Sequence, residues 1–134
     1  MKRLIFFFLV VFVSNSWAGE IIFQDLDCKV LGPSQNKIKV VEGDKSEHTC
    51  VIIGSEASCS YKNLSTQKLQ GKPTKFEIID LKGVQIWSSV ESGNIKMIID
   101  EKERQFYYGM TAIIPDQGTI LSKQCVGKIV RHVK

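Results

Sequence analysis

Four cysteines carry the most distinctive chemistry in this chain of 134 residues. They are Cys28, Cys50, Cys59 and Cys125, and they lack the C-x-x-C pairs and suitably spaced histidines of a zinc site. The spacing therefore predicts no metal site. The chain begins with a segment typical of exported proteins, described below, and an even number of cysteines in such a chain indicates two disulfide bonds, for which three pairings are open.

A short hairpin favours one of these pairings. If Gly54-Ser55 forms a type II′ turn, with glycine first, counting outward along both strands places Cys50 opposite Cys59. The same count makes Cys50 and Cys59 a non-hydrogen-bonded pair of the two strands. The Cα atoms of such a pair lie about 4.5 Å apart, which is close enough for a disulfide. The second bond would then be Cys28–Cys125, which ties the first strand to the last. The other two pairings remain alternatives.

Residue sets that could carry catalysis are scarce. No GxSxG, HExxH, P-loop or GxGxxG motif occurs, and Asp25-x-Asp27 lacks the glycine and glutamate of a calcium loop. The sequence therefore predicts a protein that is not an enzyme and has no cofactor. An enzyme would need an open cleft with convergent carboxylates, or a polar partner beside His48, which precedes Cys50 in a polar segment.

The first eighteen residues have the layout of a cleaved secretory signal peptide. Two basic residues precede an apolar run from Leu4 to Val13, and small residues end the segment at Ala18. The run is too short for a membrane span, which takes about twenty apolar residues. We expect residues 1–18 to be removed and residues 19–134 to form a single β domain in the periplasm or outside the cell.

The charge balance gives no reason to expect a nucleic-acid partner. The formal net charge is +4 at pH 7, and loss of Lys2 and Arg3 would bring it closer to neutral. Nucleic-acid binding usually requires a strongly basic face. The 134 residues less the first eighteen leave 116, which is enough for one hydrophobic core.

Short β-rich runs separated by turn residues dominate the chain, and helical periodicity is nearly absent. The runs are Ile21–Phe23, Cys28–Leu31, Lys37–Val41, Thr49–Ile53, Ala57–Tyr61, Lys75–Asp80, Val84–Val90, Ile95–Asp100, Gln105–Ile114 and Lys123–Val130. This spacing predicts an all-β fold of about 8–10 short strands, a single antiparallel barrel or sandwich with a meander, stapled by two disulfides. A Cys28–Cys125 bond favours the barrel, because first and last strands would meet.

Alternation within the meander sorts its residues into two faces. The rows expected in the core are Val84, Ile86 and Val90, then Ile95, Met97 and Ile99, and then Phe106, Tyr108, Met110 and Ala112. On the opposite face, Trp87, Ile98 and Tyr107 would form an exposed apolar and aromatic band. Such a band is typical of a surface that contacts a partner.

A second candidate surface is basic. Between Ala57 and Phe76 the chain has no acidic residue and four lysines: Lys62, Lys68, Lys72 and Lys75. The segment could form a weak anion-binding face for an acidic partner or an envelope polymer. A solvated loop is the plainer interpretation.

Together these features favour an exported binding protein that recognises another macromolecule, such as a hydrolase inhibitor or an envelope-associated factor. A rigid, cross-linked scaffold suits binding because little conformational entropy is lost on docking. The alternative is a lipocalin-like carrier of a small apolar ligand inside the barrel, near Met97, Phe106, Tyr108 and Met110. A filled interior would argue against a carrier, whereas an apolar cavity would support one.

Overall fold

The computed structural model describes residues 19–34, 37–90, 95–114 and 119–133, so the predicted signal peptide lies outside the described residues. These residues form nine strands: β1 (Gly19–Ser34), β2 (Lys37–Glu42), β3 (Ser46–Ile53), β4 (Glu56–Asn63), β5 (Leu69–Leu81), β6 (Val84–Ser89), β7 (Ile95–Asp100), β8 (Gln105–Ile114) and β9 (Thr119–Val133). The described part of the chain contains no helix long and apolar enough to cross a membrane.

Eight of the strands close an antiparallel barrel, and β2 is an extra strand outside the ring. Each strand from β3 to β8 pairs with the next along the chain, and β1 closes the ring by pairing with both β3 and β9. The predicted all-β fold is confirmed, in the barrel form rather than the sandwich.

Strand β1 is long and serves three neighbours. Its first half pairs with β3, its second half pairs with β2, and it runs beside β9 along most of its length. Its register against β9 shifts at a bulge between Asp25 and Asp27, where β1 changes neighbours on its other side. The sequence predicts two separate runs here, Ile21–Phe23 and Cys28–Leu31, where the structure has one continuous strand.

Large side chains fill the barrel. The ring of Phe23 lies 5.8 Å from that of Trp87 and 4.9 Å from that of Phe106, measured between centroids. The backbone also comes close at Gly127, where a Cβ atom would lie 2.0 Å from the carbonyl oxygen of Gln24 and 2.5 Å from the Phe106 ring. Only glycine therefore allows β9 to lie this close to β1 and to the Phe106 ring.

Both disulfides join neighbouring strands and are buried. Cys28–Cys125 links β1 to β9, and Cys50–Cys59 links β3 to β4, each with Cα atoms 4.1 Å apart. The predicted pairing is confirmed, including the hairpin register that places the second pair opposite each other. Gly54 has a φ of +63°, as the first central residue of a type II′ turn requires.

Candidate functional site

The predicted band of Trp87, Ile98 and Tyr107 does not form one surface, because Trp87 lies on the inner face of the barrel. The expected exposure of Trp87 is therefore wrong. Trp87 is 0% exposed, lies opposite Met97 on the inner face, and donates its indole N–H to the side chain of Gln85 at 3.0 Å. Its ring packs against Phe23 inside the barrel. The large indole buries more apolar area than an isoleucine would, which favours its place in the core.

The opposite face of β6 is therefore the outer one. Ile86 and Val84 are half-buried and Val90 is 48% exposed, so the expected core row through β6 is wrong. The rows through β7 and β8 are confirmed at Met97, Ile99, Phe106 and Tyr108, which are all buried. Alternation separates the two faces of β6 correctly, but the face that we expected in the core is the outer one, and the face of Trp87 is the inner one.

Ile98 and Tyr107 do lie outside, directly opposite each other on β7 and β8. The row continues through directly paired residues on each neighbouring strand. We call this row the outer apolar stripe; it consists of Ile79, Ile86, Ile98, Tyr107 and Val126. The stripe crosses five adjacent strands, with Ile79 at 54% exposure and Val126 at 52%.

One end of the stripe meets the bulge in β1. Leu26, 53% exposed, lines a shallow depression together with Ile98, Tyr107 and Val126. Polar residues bound this depression at Asp100 and Gln105. The result is an apolar strip with a polar margin, which is the general layout of a contact surface.

A glycine shapes the surface beside the stripe. A Cβ atom on Gly109 would lie 2.8 Å from the hydroxyl oxygen of Tyr107, two residues earlier on the same strand. The absence of a side chain lets the Tyr107 ring lie over the strand. The tyrosine is thereby held by local contacts and loses little freedom when a partner docks.

The four lysines of the basic segment occupy different settings. Lys62 on β4 lies 3.4 Å from the Glu47 carboxylate, where a hydrogen bond from Gln24 and then the lysine lower the pKa of Glu47. Lys68 precedes β5, and Lys72 and Lys75 lie on it, all exposed. One of the four charges is thus already paired, and an anion-binding role for the rest stays a prediction.

Inside the barrel lies a set of polar residues that we did not predict as a site. We call it the buried polar cluster; it consists of Asp25, Ser46, His48, Tyr61 and Tyr108. Nε2 of His48 lies 2.8 Å from one Asp25 oxygen, and the backbone N–H of Ser46 donates to the other at 2.8 Å. The rings of Tyr61 and Tyr108 lie 5.1 and 5.2 Å from the imidazole.

The acid and base pair in this cluster satisfies one condition for an enzyme, a polar partner beside His48. The side chains of His48 and Asp25 are, however, only 2% and 1% exposed, and Asp25 already occupies the Nε2 atom. A general base must reach the proton that it takes from a substrate. The geometry therefore fits an internal hydrogen-bond network that joins β1 to β3.

Asp25 also lies beside a disulfide. One of its oxygens and the sulfur atoms of Cys28 and Cys125 all lie within 4.8 Å of one another. Both sulfurs are joined to each other, so neither is the thiolate that a transition metal binds.

The two tyrosines of the cluster predict a loss of stability in alkali. Burial raises the pKa of both Tyr61 and Tyr108. Tyrosines in the unfolded chain lose their protons from about pH 10, and the folded ones lose them only at higher pH. The contribution of these tyrosines to the free energy of unfolding is therefore retained below about pH 10 and decreases as the pH rises beyond it. We expect a Tyr61→Phe, Tyr108→Phe variant to lose less stability between about pH 9 and pH 11, measured by urea unfolding. Equal losses in both proteins would contradict this assignment.

Two surfaces and one interior network are thus the candidate sites. The outer apolar stripe is accessible, the basic segment is partly paired, and the His48–Asp25 pair of the buried polar cluster is closed to solvent. Comparisons with protein-family models, with curated proteins and with solved structures found no match to this chain.

Proposed function

We propose that this protein is a non-catalytic binding protein that recognises another protein through the outer apolar stripe. One observation carries the proposal: apolar residues lie directly opposite one another on the outer face of five adjacent strands. Single apolar residues on a surface need no explanation, but a contiguous row of them does.

The filled barrel supports a role for this row outside the core. Phe23, Phe76, Trp87 and Met97 are all 0% exposed, so the fold has its core without the stripe. Residues that a carrier would need around a ligand instead contact one another, as the Phe23 and Phe106 rings do. This packing favours the binding protein over the carrier.

The stripe also has enough apolar surface to contribute to affinity. Full burial of an isoleucine side chain contributes about 1.5–3 kcal/mol, so covering the exposed half of Ile79 or Ile98 would contribute about 1 kcal/mol each. Tyr107 adds an aromatic side chain of the type enriched at the energetic centres of interfaces. The closed, doubly cross-linked barrel limits the entropy lost on docking.

An exported location agrees with this proposal. Two disulfides between buried cysteines are compatible with an oxidising environment outside the cytoplasm. A hydrolase inhibitor and an envelope-associated factor are both proteins that would use a stable surface of this kind, and the identity of the bound protein decides between them.

The test compares two lysine substitutions at exposed isoleucines. Wild-type protein, Ile98→Lys and the control Ile53→Lys are immobilised, and proteins retained from the compartment of origin are compared. Ile53 is 68% exposed on β3, outside the stripe. We expect one retained protein whose affinity falls about 30-fold or more, or about 2 kcal/mol, with Ile98→Lys and changes little with Ile53→Lys. The loss exceeds the apolar contribution of Ile98 because the lysine would also place an unpaired charge in the contact.

The same comparison can refute the proposal. If both lysine variants retain the same protein as strongly as the wild type does, the stripe is not the contact surface. Loss with both variants would indicate general apolar adhesion rather than a defined interface.

A further inference from the structure

Strand β2 is unusual in this fold because it contributes no buried side chain to the barrel core. All six of its residues are exposed, including Ile38 at 77%, Val40 at 57% and Val41 at 42%. It pairs with β1 on one side, and none of the other described strands pairs with its second side. β2 is therefore an open sheet edge with apolar side chains.

The direction of the backbone groups along this edge follows from one hydrogen bond. The N–H of Gly43 donates to the carbonyl of Cys28 at 2.9 Å, so these two residues form a hydrogen-bonded pair at the end of the β1–β2 ladder. Hydrogen-bonded and non-hydrogen-bonded pairs alternate in antiparallel sheets. In this register, the backbone N–H and C=O groups of Val41, Lys39 and Lys37 point towards β1. The N–H and C=O groups of Ile38, Val40 and Glu42 therefore point outward.

Sheet proteins usually block such an edge with a proline, a bulge or a cover. Strand β2 contains no proline and its register with β1 is regular. Charged side chains also protect sheet edges, and β2 has three of them, Lys37, Lys39 and Glu42, on either side of the uncharged Val40 and Val41. The edge is thus able to accept another strand by backbone hydrogen bonding.

We propose that β2 pairs with β2 of a second copy of this protein, antiparallel and with the two-fold axis at Val40. Outward-pointing residues must meet outward-pointing residues, so the axis must pass through a residue and not between two. The three central residues of the ladder from Lys37 to Gly43 are Lys39, Val40 and Val41, which give the longest pairings. An axis at Val40 pairs residues 38–42 of each copy, with Lys39 opposite Val41.

The other two registers are less favourable. An axis at Lys39 would place the two copies of this lysine directly opposite each other, which is destabilising. An axis at Val41 shifts Ile38 beyond the end of the partner strand and leaves fewer residues paired. With the axis at Val40, Ile38 and Val40 of both copies extend the apolar surface formed by Leu31 and Pro33, their partners on β1.

A second copy suits this edge because the strand is complementary to itself. The central valine meets its own copy, and the lysines are displaced from one another. A contact between two five-residue segments buries a small surface area compared with the roughly 1,200 Å² that stable interfaces bury. The association should therefore be weak and concentration-dependent, and cross-linking is the appropriate measurement.

Single cysteine substitutions test the register directly, because no described cysteine is free to interfere. In the proposed pair, two Val40→Cys residues have Cα atoms about 5.5 Å apart, within the range of a disulfide. Two Ile38→Cys residues are offset by four positions, or about 13 Å along the strands, and cannot bond. We expect Val40→Cys to form mostly dimer on mild oxidation and Ile38→Cys to remain mostly monomer.

The control is demanding because Ile38 is more exposed than Val40. Cross-linking by random collision would favour Ile38→Cys, so equal or reversed yields would overturn the proposal. Absence of any Val40→Cys dimer would overturn it too.

A proline substitution gives an independent measurement without added cysteine. The N–H of Val40 points away from β1, so Val40→Pro keeps the β1–β2 ladder and removes the central donor of the proposed contact. In sedimentation velocity at rising concentration, we expect the wild type to self-associate and Val40→Pro to remain monomeric with an unchanged circular dichroism spectrum. Equal sedimentation of the two proteins would contradict pairing through β2.

Discussion

Replacement of Cys28 and Cys125 by alanine is expected to lower the free energy of unfolding by about 2 kcal/mol more than replacement of Cys50 and Cys59. The first bond spans 97 residues of sequence and the second spans 9. A cross-link that closes a longer loop removes more entropy from the unfolded chain, about 4.7 kcal/mol for 100 residues against about 3 kcal/mol for 15.

The two disulfides form a matched pair for this comparison. All four cysteines are at most 1% exposed, and both bonds join directly opposite residues with Cα atoms 4.1 Å apart. The local cost of replacing a buried disulfide by two alanines should therefore be similar at both sites. The difference in free energy of unfolding between the two double variants then measures the effect of loop length and of barrel closure.

Urea unfolding at constant pH measures the two losses. The longer link also joins β1 to β9, the strands whose pairing closes the barrel. Equal losses in the two double variants would show that local packing, rather than the length of the closed loop, determines the contribution of each bond.

The hairpin that holds the shorter link shows how much of the fold was predictable. The register of β3 and β4 follows from a two-residue turn at Gly54-Ser55, so the pairing of Cys50 and Cys59 depends only on counting from that turn. Local geometry of this kind is contained in the sequence. The remaining cysteines could then be paired by elimination, which also predicted that first and last strands meet.

In strand β6, the sequence does not determine which face points into the barrel. Its two faces both carry apolar residues, Trp87 on one and Ile86 on the other. Alternation separates the faces but does not say which one points inward. Inside a closed barrel the choice depends on the volume available, and the contacts of Trp87 with Phe23 and Phe76 come from strands distant in sequence.

The buried polar cluster was beyond prediction for a related reason. Asp25 and His48 are 23 residues apart and meet only through the register of β1 against β3. A signal existed, since Asp25 alternates with the apolar Phe23 and His48 alternates with Cys50. The bulge after Asp25 concealed it, because the acidic segment has the composition of a turn.

Replacement of His48 by phenylalanine is expected to cost about 1–3 kcal/mol of stability, even though an aromatic ring can keep the contacts that the imidazole makes with Tyr61, Phe106 and Tyr108. The loss arises at Asp25, which would keep the Ser46 N–H as a donor and lose its partner at 2.8 Å. A buried carboxylate without its partner is strongly destabilising.

A second substitution separates this cause from poor packing. In the His48→Phe background, Asp25→Asn should restore part of the stability, because a buried neutral amide costs less than a buried charge. Asp27→Asn is the matched control in the same background, since Asp27 is two residues away with a side chain 55% exposed, and it should change stability by less than about 0.5 kcal/mol. If Asp25→Asn lowers stability in both backgrounds by the same amount, the two residues are not coupled, and His48 contributes through its ring contacts alone.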